Sequence, residues 1–156
     1  MQKVAEAEDM ARVLVYPENV EPSFELKDNL RERYEEDHND AAARAEVRPD
    51  FLEADAINRI MMFAREIDRP IHFVHMSSEK GLQRYRKNLD DVPVTAEAQV
   101  QHLIVDANEH DLLAKMNPPI RTVAEHDALW QGVRNGDIRF FSSDHAPCAT
   151  THKQSL

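Results

Sequence analysis

The segment whose residues are best suited to catalysis or metal binding is FFSSDHAPC, residues 140–148. Its aromatic start continues an apolar run, 138–141, which predicts a strand that ends in a polar turn closed by Pro147. A carboxylate beside an imidazole at the end of a strand can bind a metal ion, transfer a proton, or do both. The segment also fits a structural turn in which Asp144 caps the backbone and His145 faces solvent. On its own it leaves both interpretations open.

A second pair of candidates is His72 and His75, in the strand-forming segment 71–76. Side chains alternate along a strand, so residues three apart point to opposite faces. We therefore expect only one of the two histidines to face a site. His75 ends the strand beside a serine pair and is the better candidate, whereas His72 is predicted to pack against a helix. A strand-end His75 together with a strand-end Asp144 is typical of metal hydrolases.

The composition excludes several classes of function. The chain has 156 residues, of which 42% are hydrophobic, so it can form one globular core. A net charge of −10 disfavours binding to nucleic acid or to an anionic membrane. The one cysteine excludes an internal disulfide and predicts a cytoplasmic, reducing environment. Only 3 glycines argue against a glycine-rich phosphate loop.

Four strands and the helices between them would position these side chains. The predicted strands are 12–16, 71–76, 92–97 and 138–141. The predicted helices are 2–11, 23–37, 50–67, 79–89 and one that begins after Thr122 and ends at Gly136. Residues 38–49 are predicted as a loop, 101–116 as mixed structure and 115–121 as a rigid extended loop.

Local signals predict how some of these helices begin. Ser77 and Ser78 can cap the helix that follows them, and Asp50 with Glu53 and Thr122 with Glu125 fit capping boxes. The alternation of strands and helices predicts a parallel sheet with right-handed crossovers. Since such folds collect functional groups at the carboxyl ends of their strands, the candidates are expected at one edge of the sheet.

Several segments in order resemble the cyclic amidohydrolases, the family of dihydroorotases, dihydropyrimidinases or hydantoinases, and allantoinases. The matching segments are VYPEN (15–19), RPDFLEA (48–54), HFVHMSS (72–78), PVTAE (93–97), KMNPPIR (115–121) and SDHAP (143–147). The resemblance implies a single partial (β/α)8 TIM-barrel domain, 1–156, that carries strands five to eight of the barrel.

The resemblance also implies a site with one or two zinc ions and a small cyclic amide or ureide substrate. In this family a metal-bound hydroxide attacks the ring amide, and a rim aspartate carries the proton to the leaving nitrogen. By resemblance His75 is a metal ligand, and Asp144 is both a metal ligand and the acid/base. Asn117, His145 and Cys148 are the implied substrate contacts. The leading interpretation is a dihydroorotase-like hydrolase, which the KMNPP segment (115–119) favours. The alternative is an allantoinase or a hydantoinase-type hydrolase, which Cys148 favours.

Two departures from the family pattern give other hypotheses. Tyr16 stands where the family has a metal-binding histidine, which favours a non-catalytic scaffold that has lost ligands. Cys148 close to His145 could also form a nucleophilic pair, although a turn rarely aligns neighbouring residues for proton transfer.

The chain is about half as long as a whole barrel and has no His-x-His segment. We therefore expect a piece or a degenerate relative, inactive alone, that forms homo-oligomers or complements a second half-barrel.

Overall fold

In the computed structural model of the chain, the described residues are 12–33, 41–67, 69–89, 92–109, 112–147 and 149–153. The strands are β1 (Val13–Val15), β2 (Ile71–Phe73), β3 (Val94–Gln99) and β4 (Ile138–Ser142). The α-helices are α1 (Glu21–Arg33), α2 (Ala41–Val47), α3 (Asp50–Ile67), α4 (Glu79–Arg86), α5 (Gln101–Ile104) and α6 (Val123–Arg134). Short 3₁₀ turns occupy Ala107–Glu109, Leu112–Ala114 and Thr150–Lys153.

The four strands form one parallel sheet in the order β1-β2-β3-β4. Val13 pairs with Ile71, and Ile71 pairs with Val94, so the register is regular from β1 to β3. On the other side of β3, Ala96 pairs with Ile138. The β3–β4 register shifts after Ala96. The predicted parallel α/β architecture is confirmed, and all four strand ends lie along one edge of the sheet.

The helices cover one face of this sheet. Ile71 and Phe73 of β2 belong to the main buried cluster, in which the Phe73 ring meets the Tyr85 ring edge-on at 6.0 Å. Leu82 from α4 and Leu129 from α6 complete this layer, and both are fully buried. On α3, Ile57, Met61 and Ala64 recur at helical spacing and are buried in the same layer, as the apolar periodicity of that helix predicts.

The opposite face of the sheet carries polar and exposed apolar side chains. Leu14 on β1 is 64% exposed and Phe140 on β4 is 50% exposed. Between them lie His72 on β2 and Thr95 and Glu97 on β3. In the barrel that the resemblance implies, this face would line the interior, because the helices cover the other face of the sheet.

The predicted loop at 38–49 is wrong for its described part, because residues 41–47 form helix α2. Alanine is the strongest helix former, and Ala41, Ala43 and Val47 are buried against neighbouring segments. The helix predicted at 2–11 lies outside the described residues. None of the described helices is both long and apolar enough to cross a membrane.

Candidate functional site at the carboxyl ends of the strands

His75 follows β2 and is held in a crowded position at the edge of the sheet. It is only 4% exposed, and its ring centroid lies 5.1 Å from that of Tyr16, which follows β1. Burial lowers the pKa of His75, although the residue's own backbone and then the charges of Asp144, Glu18 and Glu97 act in the opposite direction. The Nδ1 atom is buried and has no hydrogen-bond partner. A neutral imidazole with an unpartnered nitrogen has the chemistry of a metal ligand.

Asp144 follows β4 at the same edge. Its side chain is exposed, and its backbone has a φ of 44°, in the left-handed region that few non-glycine residues adopt. The amide Nε2 of Gln99 donates a hydrogen bond of 2.8 Å to Oδ2 of Asp144. Both residues follow strands at the same end of the sheet, and the charge of Asp144 acts to raise the pKa of His75.

The prediction that His72 packs against a helix is wrong. Its Nδ1 lies 2.8 Å from Oγ1 of Thr95, and its Nε2 lies 3.3 Å from Oε2 of Glu97. Helix-facing positions on β2 are instead occupied by Ile71 and Phe73. Strand alternation does not extend to His75, because β2 ends at Phe73 and His75 has a φ of 42°.

Glu53 on α3 supports the loop that follows His75. The Ser77 backbone N–H donates a 2.7 Å hydrogen bond to Oε1, and the Ser78 hydroxyl donates to Oε2. Burial raises the pKa of Glu53 to about 7, against the opposing charge of Arg121. Glu53 does not cap its own helix, so the predicted capping box with Asp50 is wrong.

The serine cap, by contrast, is confirmed, because Oγ of Ser78 accepts a 3.0 Å hydrogen bond from the Gly81 N–H. The second predicted capping box is wrong, since Thr122 makes no side-chain cap and Glu125 accepts from the Glu79 N–H.

Arginines connect the site to the loop that contains Asn117. Arg48 pairs with Glu18 at 2.5 Å, and Glu18 also acts on the pKa values of His75 and Arg44. Nη2 of Arg44 donates a 2.6 Å hydrogen bond to Oδ1 of Asn117. Asn117 is exposed and precedes a cis peptide bond to Pro118. Asn117, the predicted substrate contact, therefore lies beside Arg44. Glu18 links this region to His75, because its charge acts on both Arg44 and His75.

The other two predicted substrate contacts are less informative. His145 is exposed next to Asp144, and Cys148 lies outside the described residues. Within the described ranges, no group of three or more His, Cys, Asp or Glu side chains is arranged to hold a metal ion. An imidazole such as that of His75 and a carboxylate such as that of Asp144 are among the ligand types that zinc accepts.

Known proteins match this chain closely in both sequence and fold. An allantoinase from Enterococcus faecalis is 33% identical over 126 residues, which cover 78% of this chain and 28% of the relative. An allantoinase from Salmonella gallinarum is 31% identical over 153 residues, or 94% of this chain and 32% of the relative. The chain belongs to the cyclic amidohydrolase family. No family model matches the sequence.

The solved structures agree with the amidohydrolase fold. A D-hydantoinase (dihydropyrimidinase) from Thermus sp. superposes with a TM-score of 0.82 and 22% identity, covering 95% of this chain and 34% of that chain. The sheet is therefore part of a TIM barrel of the amidohydrolase type. The chain spans about a third of the length of the amidohydrolases that it matches.

Sequence reasoning missed Gln99 and the support that Glu53 gives to the His75 loop. The predicted third strand ends at residue 97, whereas β3 continues to Gln99. The alternation of Thr95, Glu97 and Gln99 carried the signal, because these polar residues share the face opposite the helices. Glu53 had no such signal, since its partners are distant in sequence.

Proposed function

We propose that this chain contributes part of the active site of a metal-dependent hydrolase of cyclic amide bonds. The observation that carries the proposal is the buried His75, whose unpartnered Nδ1 lies at the strand edge among the charges of Asp144, Glu18 and Glu97. An unpaired buried imidazole nitrogen is costly unless a ligand completes it. The similarity to allantoinases supports the choice of a cyclic amide as the substrate.

His75 and Asp144 would supply two of the metal ligands. Burial lowers the pKa of His75, which keeps the ring neutral and its lone pair available. When bound, a divalent cation such as zinc would supply the positive charge that polarises the amide carbonyl and makes water more acidic. Asp144 would accept the proton of the attacking water and then donate it to the leaving ring nitrogen.

The further ligands would come from outside the described residues, through a complementary barrel segment or a second copy of the chain. The exposed Leu14 and Phe140 on the inner face, and the edge strands β1 and β4, offer the surface for this assembly. Tyr16 is 68% exposed beside His75, so the partner segment would also cover this ring.

For the substrate, we place a ureide or hydantoin ring first, because the relatives are named allantoinases and the structural neighbour a hydantoinase. Dihydroorotate is the second candidate, favoured by the KMNPP segment around Asn117. A neutral and an acidic ring differ in charge, so a comparison of the two tests whether the arginines near Asn117 select the substrate.

The test joins this chain to the preceding β/α units of the Enterococcus faecalis allantoinase, so that a whole barrel is assembled. The purified chimera and the 156-residue chain are loaded with zinc and assayed on allantoin, hydantoin, dihydrouracil and dihydroorotate. We expect the chimera to hydrolyse at least one ring and the chain alone to hydrolyse none. Asp144→Ala removes both a metal ligand and the acid/base, and should lower kcat by at least ~10²-fold.

The matched control is Asp127→Asn, which changes an exposed carboxylate on the outer helix α6. It should keep both metal content and turnover. A folded chimera that takes up zinc but acts on none of the rings would contradict the proposal. One that neither binds zinc nor turns over would instead favour a scaffold.

A further inference from the structure

A buried glutamine lies directly behind the exposed carboxylate of Asp144. Gln99 ends β3 and has 0% of its surface exposed, and its Nε2 donates to Oδ2 of Asp144 at 2.8 Å. Exposed aspartates ordinarily exchange among rotamers, and a bond to an immobile buried donor opposes this. The contact leaves Oδ1 of Asp144 as the oxygen not engaged by Gln99.

A second glutamine fixes which end of the Gln99 amide faces the carboxylate. Nε2 of Gln101 donates a 2.9 Å hydrogen bond to Oε1 of Gln99 and a 3.0 Å hydrogen bond to the Ser143 carbonyl. If the Gln99 amide were reversed, its oxygen would face the Asp144 carboxylate and its NH₂ group would face the Gln101 donor. Both contacts would then be repulsive, so the observed orientation is the one that the network selects.

The backbone just before Asp144 is hydrogen-bonded to residues 100 and 101, which follow Gln99. The Val100 N–H donates to the Ser142 carbonyl at 3.2 Å, and Gln101 holds the next carbonyl, that of Ser143. These bonds lie immediately before the left-handed backbone of Asp144, at a φ of 44°. A non-glycine residue persists in this region when its surroundings determine it.

From this geometry we propose that Gln99, oriented by Gln101, is a positioning residue that holds the Asp144 carboxylate with Oδ1 directed for cation binding and proton transfer. The catalytic role of Asp144 in this inference rests on the proposed function, whereas the orientation of its carboxylate does not. Partners that orient a metal ligand typically change metal affinity or activity by 10–100-fold when they are removed.

The first experiment measures the χ1 rotamer of Asp144 in the 156-residue chain by three-bond NMR couplings to its Cγ atom. We expect one rotamer in the wild type and averaging among rotamers in Gln99→Met, which keeps the side-chain length but removes the amide. Gln101→Leu should give partial averaging. Averaged couplings in the wild type, or a single rotamer retained in Gln99→Met, would overturn the proposal.

The second experiment asks whether Gln99 acts through Asp144, with zinc alone as the ligand. In the chimera that assembles the whole barrel, Gln99→Met should weaken zinc binding by about 10–100-fold. In an Asp144→Ala background the same substitution should have no further effect. An equal loss in both backgrounds would indicate a purely structural role and would overturn the positioning proposal.

The two experiments also separate the inference from the proposed function. If the wild-type chimera binds no zinc, the proposed metal role fails, whereas the couplings measured in the 156-residue chain still test the orientation of Asp144. Urea unfolding of each variant establishes that it is folded. If Gln99→Met unfolds, Gln99→Leu provides the second variant, because it also removes the amide donor and should also release the rotamer.

Discussion

Replacing Glu53 with glutamine should change how the stability of the chain depends on pH. Glu53 is completely buried, and burial outweighs the Arg121 charge and the hydrogen bonds from Ser78 and Ser77, so its pKa rises from 4.5 to about 7. Each pKa unit corresponds to about 1.4 kcal/mol. Protonation of Glu53 therefore favours the folded state by about 3 kcal/mol.

The sign follows from the protons bound in each state. Between pH 4.5 and about 7 the folded state binds more protons than the unfolded state, so stability falls as the pH rises. The stabilisation is fully present below pH 4.5 and is lost as the pH passes through about 7. Glu53→Gln stays neutral throughout and can still accept from the Ser77 N–H, so it should lack this dependence.

The assay is urea unfolding of both proteins at pH 5, 6, 7 and 8, followed by circular dichroism. The free energy of unfolding of the wild type, relative to Glu53→Gln, should fall by about 2–3 kcal/mol over this range. Glu66→Gln is the matched control on the same helix, because Glu66 is exposed, and its difference from the wild type should not change with pH. A constant or rising difference for Glu53→Gln would refute the reasoning.

Further substitutions test a glycine beside Glu53 and two other buried positions. Gly81→Ala would place its Cβ 2.5 Å from Oε2 of Glu53, and should cost about 1–3 kcal/mol in urea unfolding. That cost should disappear in a Glu53→Ala background. Burial lowers the pKa of His102 from 6.5 to about 4. The neutral ring therefore contributes about 3 kcal/mol to the free energy of unfolding above pH 6.5, and this contribution is lost as the pH falls to 4. In His102→Gln, urea unfolding should no longer show this loss. Leu129→Ala should cost about 2–5 kcal/mol, whereas Val123→Ala, at an exposed position of the same helix, should stay within about 0.5 kcal/mol of the wild type.

Much of the fold could be predicted because it depends on local patterns. Helix α3 has the bounds 50–67 that its apolar periodicity predicts, and the four apolar runs all form parallel strands. Helix α2 was missed because its alanines gave no apolar stripe, and burial against neighbouring segments decides its structure. The strand ends were then sufficient to locate His75 and Asp144 at one edge of the sheet.

What could not be predicted was the orientation of the side chains at that edge. His75 and Asp144 both have positive φ values, 42° and 44°, at positions where the sequence has no glycine to signal them. The assignment of His72 to the helical face failed for a related reason. The alternation rule applies only within a strand, and His75 lies beyond the end of β2.

The two predicted metal ligands are held in similar ways, which explains why their orientation could not be predicted. Each lies just after a strand, and each is supported by a buried polar side chain from another segment. Glu53 binds the loop after His75 across a separation of 24 residues, and Gln99 binds Asp144 across 45. Buried polar groups require satisfied partners, so these supports fix the loops more strictly than any local turn preference does. The position of a ligand can thus be read from the strand that precedes it, whereas its orientation depends on residues that only the folded chain brings near.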